Sequence, residues 1–333
     1  MGEARKHHYV PVFYQNHFTN DNGLVFVYDR KRQIYLELHP RSICHQSDLY
    51  ATKPTDGRPR DRRIETHILS DFDGQSATAI RELLTLNPPR PETLVALAVF
   101  AALQYLRVPT NDTFMRAIYS SGGNDLMEVM FSSVERAQAS LRRYEQKTGK
   151  KLNVSAESMV EAVKSGSIEA RANEIPFLRS IGEHTGFMAQ TLAELKLQIL
   201  ISPPAVGFIL TDNPFTIVPA PGDNRVGLAN FSTFTYIPVT RSICLRYGMT
   251  GRNEFRTIER EDVRLINQNF AVNSERFIMG PSQIQLESIV RRSESTTMDP
   301  SPRFALDKFP DKDGGILRKL TQLPRRRYFH PNL

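Results

Sequence analysis

The chain has 333 residues, of which 40% are hydrophobic, with 43 Lys and Arg against 36 Asp and Glu for a formal net charge of +7. That is enough apolar material to bury a core, which excludes a disordered chain, and the positive excess suits phosphate, nucleic acid or another polyanion as partner. Its two cysteines, Cys44 and Cys244, lie far apart with no Cys-x-x-Cys spacing, which excludes a zinc ribbon and a disulfide framework.

The first element is "KHHYVPVFYQNHF", residues 6–18, where Pro11 is placed to open a short helix because a first-turn proline forfeits no hydrogen bond. "LVFVYD", a polar "RKR" and "QIYLEL" follow and predict a β-hairpin. Residues 51–63, rich in proline and arginine, predict an exposed loop, either a phosphate-facing gate or a solvated segment. From Ile64 the apolar residues recur at helical spacing until Pro88, Pro89 and Pro91. The next helix, Leu94 to Val108, is the most hydrophobic segment. It is shorter than the roughly 20 residues of a membrane span and carries Gln104 and Arg107, so it predicts a buried helix in a cytoplasmic protein with no membrane contact. A third helix is expected from about Asp125 to Lys147, with Met130, Val134, Ala137 and Leu141 on its packed stripe, and a fourth over "FLRSIGEHTGFMAQTLAELKLQIL". After Ser202 the texture turns strand-like, through "VGFILT", "FTIVPA", "FTYIPVT" and "SICLRYG", and "EDVRLINQNFAVNSERFIM" predicts a closing helix.

The expected fold is α+β: predominantly helical, with an N-terminal β-hairpin and a small, mostly antiparallel C-terminal sheet. Residues 1–292 form a single domain, divided into the opening segment and hairpin (6–50), a helical middle (63–200), a strand-rich part (205–250) and the closing helix (260–280). A basic Ser/Pro-rich extension, 293–333, follows and is expected to be a solvated appendage.

Familiar catalytic motifs are missing: no Gly-x-x-x-x-Gly-Lys loop, no Gly-x-Ser-x-Gly elbow and no His-Glu-x-x-His helix. A metal-finger nuclease would need a His or Cys about eight residues after Asn22, and none stands there. Asp71 and Asp73 look like half a calcium loop and are expected to be a helix-surface pair. "KHHYVPVFYQNHF" instead resembles the opening of a bacterial family known only as domain of unknown function 4238. The resemblance extends through "VFVYDR", "SDLY", "RIETH", "ALQYLRVP", "FILTDNPF" and "INQNFAVNSERFI". The family's tryptophan before the Asp-Asn-Pro turn is replaced here by "LKLQIL". The resemblance singles out positions and implies no chemistry.

Chemistry is argued from polar residues placed where the pattern demands burial, because a buried charge must meet a partner or a ligand. His8, with His7 beside it, is the candidate acid or base; Glu65 or Asp212 is to orient it or hold a divalent ion such as magnesium or manganese. Arg107, expected to meet Glu65 or Asp212, is to hold a phosphate or carboxylate through its planar fork, with Gln104, Gln15, Tyr9 and Asn213 also on the substrate. The expected function is an enzyme acting on a phosphate-containing substrate, a nuclease cleaving RNA or DNA by acid-base or metal-assisted hydrolysis, in a toxin-like or phage-defence setting. The alternatives are a nucleotide- or NAD-using transferase and a non-enzymatic module binding nucleic acid or protein.

Overall fold

The computed structural model describes residues 6–53, 60–204, 206–223, 233–251, 253–294, 304–310, 316–322 and 328–333. Most of the expected loop at 51–63, its residues 54–59, and much of the C-terminal extension therefore lie outside the described residues. The chain forms two compact units, one of Met1–Asn111 with Leu178–Leu333, the other of Asp112–Phe177. The α+β class holds.

In the larger unit the opening segment is strand β1 (Lys6–His8) followed by the short helix α1 (Val12–Gln15), which Pro11 precedes in extended conformation. The hairpin forms as read, with β2 (Val25–Asp29) and β3 (Ile34–Leu38), and β4 (His45–Ser47) then pairs antiparallel with β1. A wide helical turn at Ile64–Leu69 leads into α2 (Ser70–Leu83). Helix α3 (Pro91–Leu106) starts with proline at its first position and buries the apolar run, from Leu97 to Leu106 almost entirely, against α2.

Helix α4 (Pro109–Met130) and helix α5 (Val134–Thr148) replace the one helix expected from 125 to 147. The break has a local cause: Ser133 turns extended and its hydroxyl accepts the Arg136 amide, an N-cap that restarts the helix. With α6 (Ala156–Lys164), these segments enclose the core of the smaller unit, Phe131, Ala137, Ala156 and Val160; Met130 packs on it from α4 and Val134 and Leu141 from α5, so the expected residues share the core but from two helices, not one stripe.

Helix α7 (Ile175–Glu194) ends sooner than expected, and "KLQILI" is strand β5 (Lys196–Ile201). Flanking strands on both sides bury it, so its apolar run satisfies a central strand as well as a helix. Strands β6 (Leu210–Thr211), β7 (Thr216–Pro219), β8 (Thr233–Pro238), β9 (Ile243–Gly248) and β10 (Glu254–Thr257) follow. Five strands make a sheet in the order β10-β5-β9-β8-β7, antiparallel except for β10 on β5.

The closing helix is likewise shorter. Helix α8 (Arg260–Asn273) stops where Ser274 turns extended, and "FIMG" becomes strand β11 (Phe277–Gly280). β11 sits inside a second antiparallel sheet, β3-β2-β11-β6, so the hairpin near the N-terminus is completed by residues from the far end of the chain. Helix α9 (Gln283–Glu294) and the paired strands β12 (Phe304–Pro310) and β13 (Ile316–Gln322) come next. The last residues return to the larger unit, not to solvent: Asn269 of α8 bonds both the amide and carbonyl of Phe329, and Asp262 accepts the Asn332 amide. Among the described residues no single helix is long and apolar enough to cross a membrane.

Candidate active site

β1 runs beside β4 with His7 opposite Gln46 and His8 opposite His45. Alternation along a strand sends the two histidines to opposite faces. His7 goes inward, 1% exposed; its Nδ1 accepts the Tyr50 amide at 3.0 Å and its ring lies parallel on the Tyr50 ring, centroids 5.5 Å apart. His8 is half-buried, with Nε2 3.2 Å from the Arg41 carbonyl and its ring edge-on to His45 at 5.4 Å. Burial pushes the His8 imidazole below its ordinary value; the Arg41 carbonyl opposes this, and His45 and Arg107 add to it.

Arg107 meets neither Glu65 nor Asp212. Its guanidinium donates to Asp73 at 2.7 Å and to the His8 carbonyl at 3.0 Å, and Tyr50 donates to its backbone carbonyl at 2.8 Å. Asp73 is therefore the buried arginine's counter-ion and not a surface pair with Asp71. Burial lowers the proton affinity of Arg107, and Asp73 and Tyr50 raise it by more. Glu65 sits near the same cluster, where burial pushes the Tyr50 phenol up, Arg107 pulls it down and Glu65 and Asp73 add to the rise. His7, Tyr50, Arg107 and Asp73 thus form a brace that fixes the opening strand on α2 and on the end of α3. Gln15 closes the turn before α1 by donating to the Val10 carbonyl at 2.7 Å, and the Tyr14 hydroxyl donates to the Pro238 carbonyl.

A cavity of about 480 Å³ lies next to this brace, in the larger unit. Its walls are Tyr9, the hairpin with Asp29, Lys31 and Arg32, the stretch from Ser42 to Gln46, Asp212, and Glu275 to Phe277. Asp212 is 5% exposed. It accepts the amides of Glu275 at 3.0 Å, Arg276 at 2.7 Å and Phe277 at 3.1 Å, and so fixes the entry of β11. Burial pushes its carboxyl up to about 6 although the three amides pull it down. Asp29 behaves oppositely. Burial raises it, but the Arg276 fork, at 2.7 to 3.1 Å, and the amides of Lys31 and Arg32 reverse this and hold it below the usual carboxylate range.

One cavity wall therefore presents two carboxyls with opposite proton affinities, the arrangement by which proteins separate acid and base roles. Arg276 spends Nε and Nη2 on Asp29, lies 4.6 Å over the Phe277 ring and is 40% exposed, which leaves Nη1 for a ligand. Lys31 and Arg32 add two exposed cations at the hairpin tip. Behind them Tyr9 and Cys44 are buried, and burial pushes both the phenol and the thiol up, so both stay protonated. Cys44 has φ +52°, a left-handed conformation that costs a side-chain-bearing residue roughly 1–2 kcal/mol.

Of the residues expected at the site, the cavity gathers Tyr9 and Asp212. His8 stands one ring behind it, touching His45, which does line it. His7, Glu65, Arg107, Gln104 and Gln15 are not among its walls. Neither is Asn213: it donates to the Asn273 carbonyl, and Asn273 donates back to the carbonyls of Asn213 and Phe215, tying the Asp-Asn-Pro turn to α8. Gln104 is wholly buried, and its carboxamide has no hydrogen bond among the described residues. Asp29 was readable in principle, since it continues the buried face of Val25 and Val27 at period two. Arg276, His45 and Cys44 carry no such signal. Among the described residues no group of three His, Cys, Asp or Glu side chains could hold a metal ion, so a magnesium or manganese of the kind considered from the sequence would have to be held by fewer side chains together with a substrate's phosphates.

No curated protein and no solved structure matches the chain. The family described as protein of unknown function (DUF4238) matches residues 6–283, and with most of its length covered the chain belongs to that family.

Proposed function

We propose that this protein is an enzyme acting on a phosphate-containing substrate at the 480 Å³ cavity, cleaving phosphodiester bonds of RNA or DNA by acid-base chemistry. The observation that carries the reading is the placing of Asp212, whose carboxyl gains and loses its proton near pH 6, in one cavity with Arg276, Lys31 and Arg32. The cations hold the phosphate. Asp212, ionised above pH 6, takes the proton of the attacking hydroxyl through Oδ1, which accepts only one amide and keeps a lone pair. As the new P–O bond forms, the bond to the leaving oxygen breaks, and that oxygen takes its proton from solvent. Asp29, kept ionised, holds Arg276 in place.

The test is cleavage of labelled RNA and DNA, with and without magnesium or manganese, by wild type, Asp212→Asn and His8→Ala. Support is cleavage that rises with pH through about 6 and is lost in Asp212→Asn with its fold intact. Absence of cleavage by wild type overturns the nuclease reading. In that case, stabilisation by NAD or nucleotides that is lost in Asp212→Asn would place a transferase at the cavity, and salt-sensitive oligonucleotide binding that survives Asp212→Asn would make the protein a binding module.

A further inference from the structure

A second cavity, about 790 Å³, lies in the larger unit at the opposite end of β11 from the first. Glu275 to Phe277 line the first cavity, Pro281 and Ser282 the second, and the four-residue strand between them spans roughly 13 Å. Nothing in the acid-base reading uses it.

Its charge is one-sided. Arg241, from the β8–β9 turn, and Arg260 and Arg264, from α8, line it, and no Asp or Glu is among its wall residues. Arg260 and Arg264 stand one helical turn apart, so they share a face, and like charges in that relation repel. Arg264 has a counter-ion in Glu261 at 3.1 Å, an i,i+3 pair outside the cavity wall. Arg241 and Arg260 are exposed and have no ion pair among the described residues. The first turns of α8 and α9 both contribute wall residues, adding the positive ends of two helix dipoles to the same space.

The floor is tied by hydrogen bonds. Asn267, 1% exposed, donates to the Gly207 carbonyl at 2.9 Å and accepts the Ile209 amide at 3.0 Å, and Gln285 donates to the same carbonyl at 2.6 Å. Gly207 lets the Arg241 backbone pack closely on the same segment: a Cβ there would meet the Arg241 carbonyl at 3.0 Å. Apolar lining is contributed by Pro203, Pro204 and Val206, on the loop that packs beside the Arg241 turn, and by Ile284, which is 79% exposed. Arginines with no ion pair among the described residues, apolar lining residues and a volume within the usual range for small-ligand sites suit a ligand that carries both phosphates and a planar or apolar group.

We infer that this cavity is a second site, separate from the proposed active site, that binds a phosphorylated small molecule of nucleotide size through Arg241, Arg260 and Arg264. The arginines grip the phosphates and the proline-valine-isoleucine lining carries the ring.

The experiment measures binding of ADP, pyrophosphate and inorganic phosphate to the full chain, by calorimetry and by melting temperature, in wild type, Arg241→Ala, Arg260→Ala and Asp212→Asn. ADP is expected to bind most tightly and raise the melting temperature, and each arginine substitution to weaken it by at least about tenfold. Both arginines are exposed, so their loss does not endanger folding, and unchanged melting of the unliganded variants checks this. ADP binding retained in Asp212→Asn separates this site from the first cavity, whatever becomes of the cleavage reading. Failure of all three ligands to bind wild type at millimolar concentration overturns the inference, as does binding to both arginine variants with wild-type affinity. A short RNA strand that binds where ADP does not, and is lost in the same variants, overturns the small-molecule assignment.

Discussion

Replacing Arg107 by Met tests whether the opening segment is held by the brace. The arginine side chain is 3% exposed and the Asp73 side chain 26%. Removing the guanidinium leaves the His8 carbonyl without its donor and Asp73 without its cation. Breaking a buried pair from one side costs about 3–5 kcal/mol. Water reaches Asp73 and recovers part of that, so the lower end, about 3 kcal/mol, is expected for the variant. At about 2.1 cal/mol/K of unfolding entropy per residue, a chain of 333 residues shifts by about 1.4 °C per kcal/mol, giving a fall of about 4 °C in Tm. Urea unfolding followed by far-UV circular dichroism measures the free energy. Asp73→Asn alone should cost about 1–2 kcal/mol, and the double variant less than the sum by at least about 1 kcal/mol, because no orphaned charge remains. A loss below about 1 kcal/mol in Arg107→Met, or strict additivity in the cycle, would refute the brace.

Asp212 gives a pH prediction with a definite sign. Its carboxyl is raised in the fold from the ordinary 3.8 to about 6, so its contribution to stability is complete below about 4 and is lost as pH rises through about 6. The loss is of the order of 3 kcal/mol. The difference in unfolding free energy between wild type and Asp212→Asn should change by that much between pH 4 and pH 8; a pH-independent difference would contradict the burial argument. His8, His17 and His45 act in the opposite direction, since burial lowers each of them and stability is lost as pH falls below their ordinary 6.5. His8→Gln should reduce that acid loss while leaving any cleavage rate within about threefold of wild type, and abolition of cleavage would return His8 to a catalytic role. Gln104→Met should stabilise the protein by about 1–3 kcal/mol, because it removes a wholly buried carboxamide without hydrogen bonds; a lower Tm would show that the carboxamide is satisfied in solution.

Local pattern alone placed the hairpin at 24–38, the buried helix through Leu97 to Leu106, the packing of Met130, Val134, Ala137 and Leu141 on one core, and the tight turn at Asp212. These depend on which face of an element is apolar, and that is written in the spacing of neighbouring residues. The same periodicity could not tell "KLQILI" and "RFIM" from helix ends, because short apolar runs fit either form until flanking strands are present to pair with them. Burial of Asp212, Arg107, Gln104 and Gln15 was likewise implied by their surroundings, whereas of the two histidines it is His7, not the expected His8, that is fully buried.

Which partner each of these buried groups meets was not written locally. Arg107 reaches Asp73, 34 positions back, and Asp212 grips amides 63 to 65 positions ahead. The order β3-β2-β11-β6 brings Asp29 to Arg276, 247 positions away. The sequence determined that charges would be buried; the pairing of distant strands decided which charges would share a cavity, because a side chain's electrostatic neighbours are set by the sheet it joins and not by its distance along the chain.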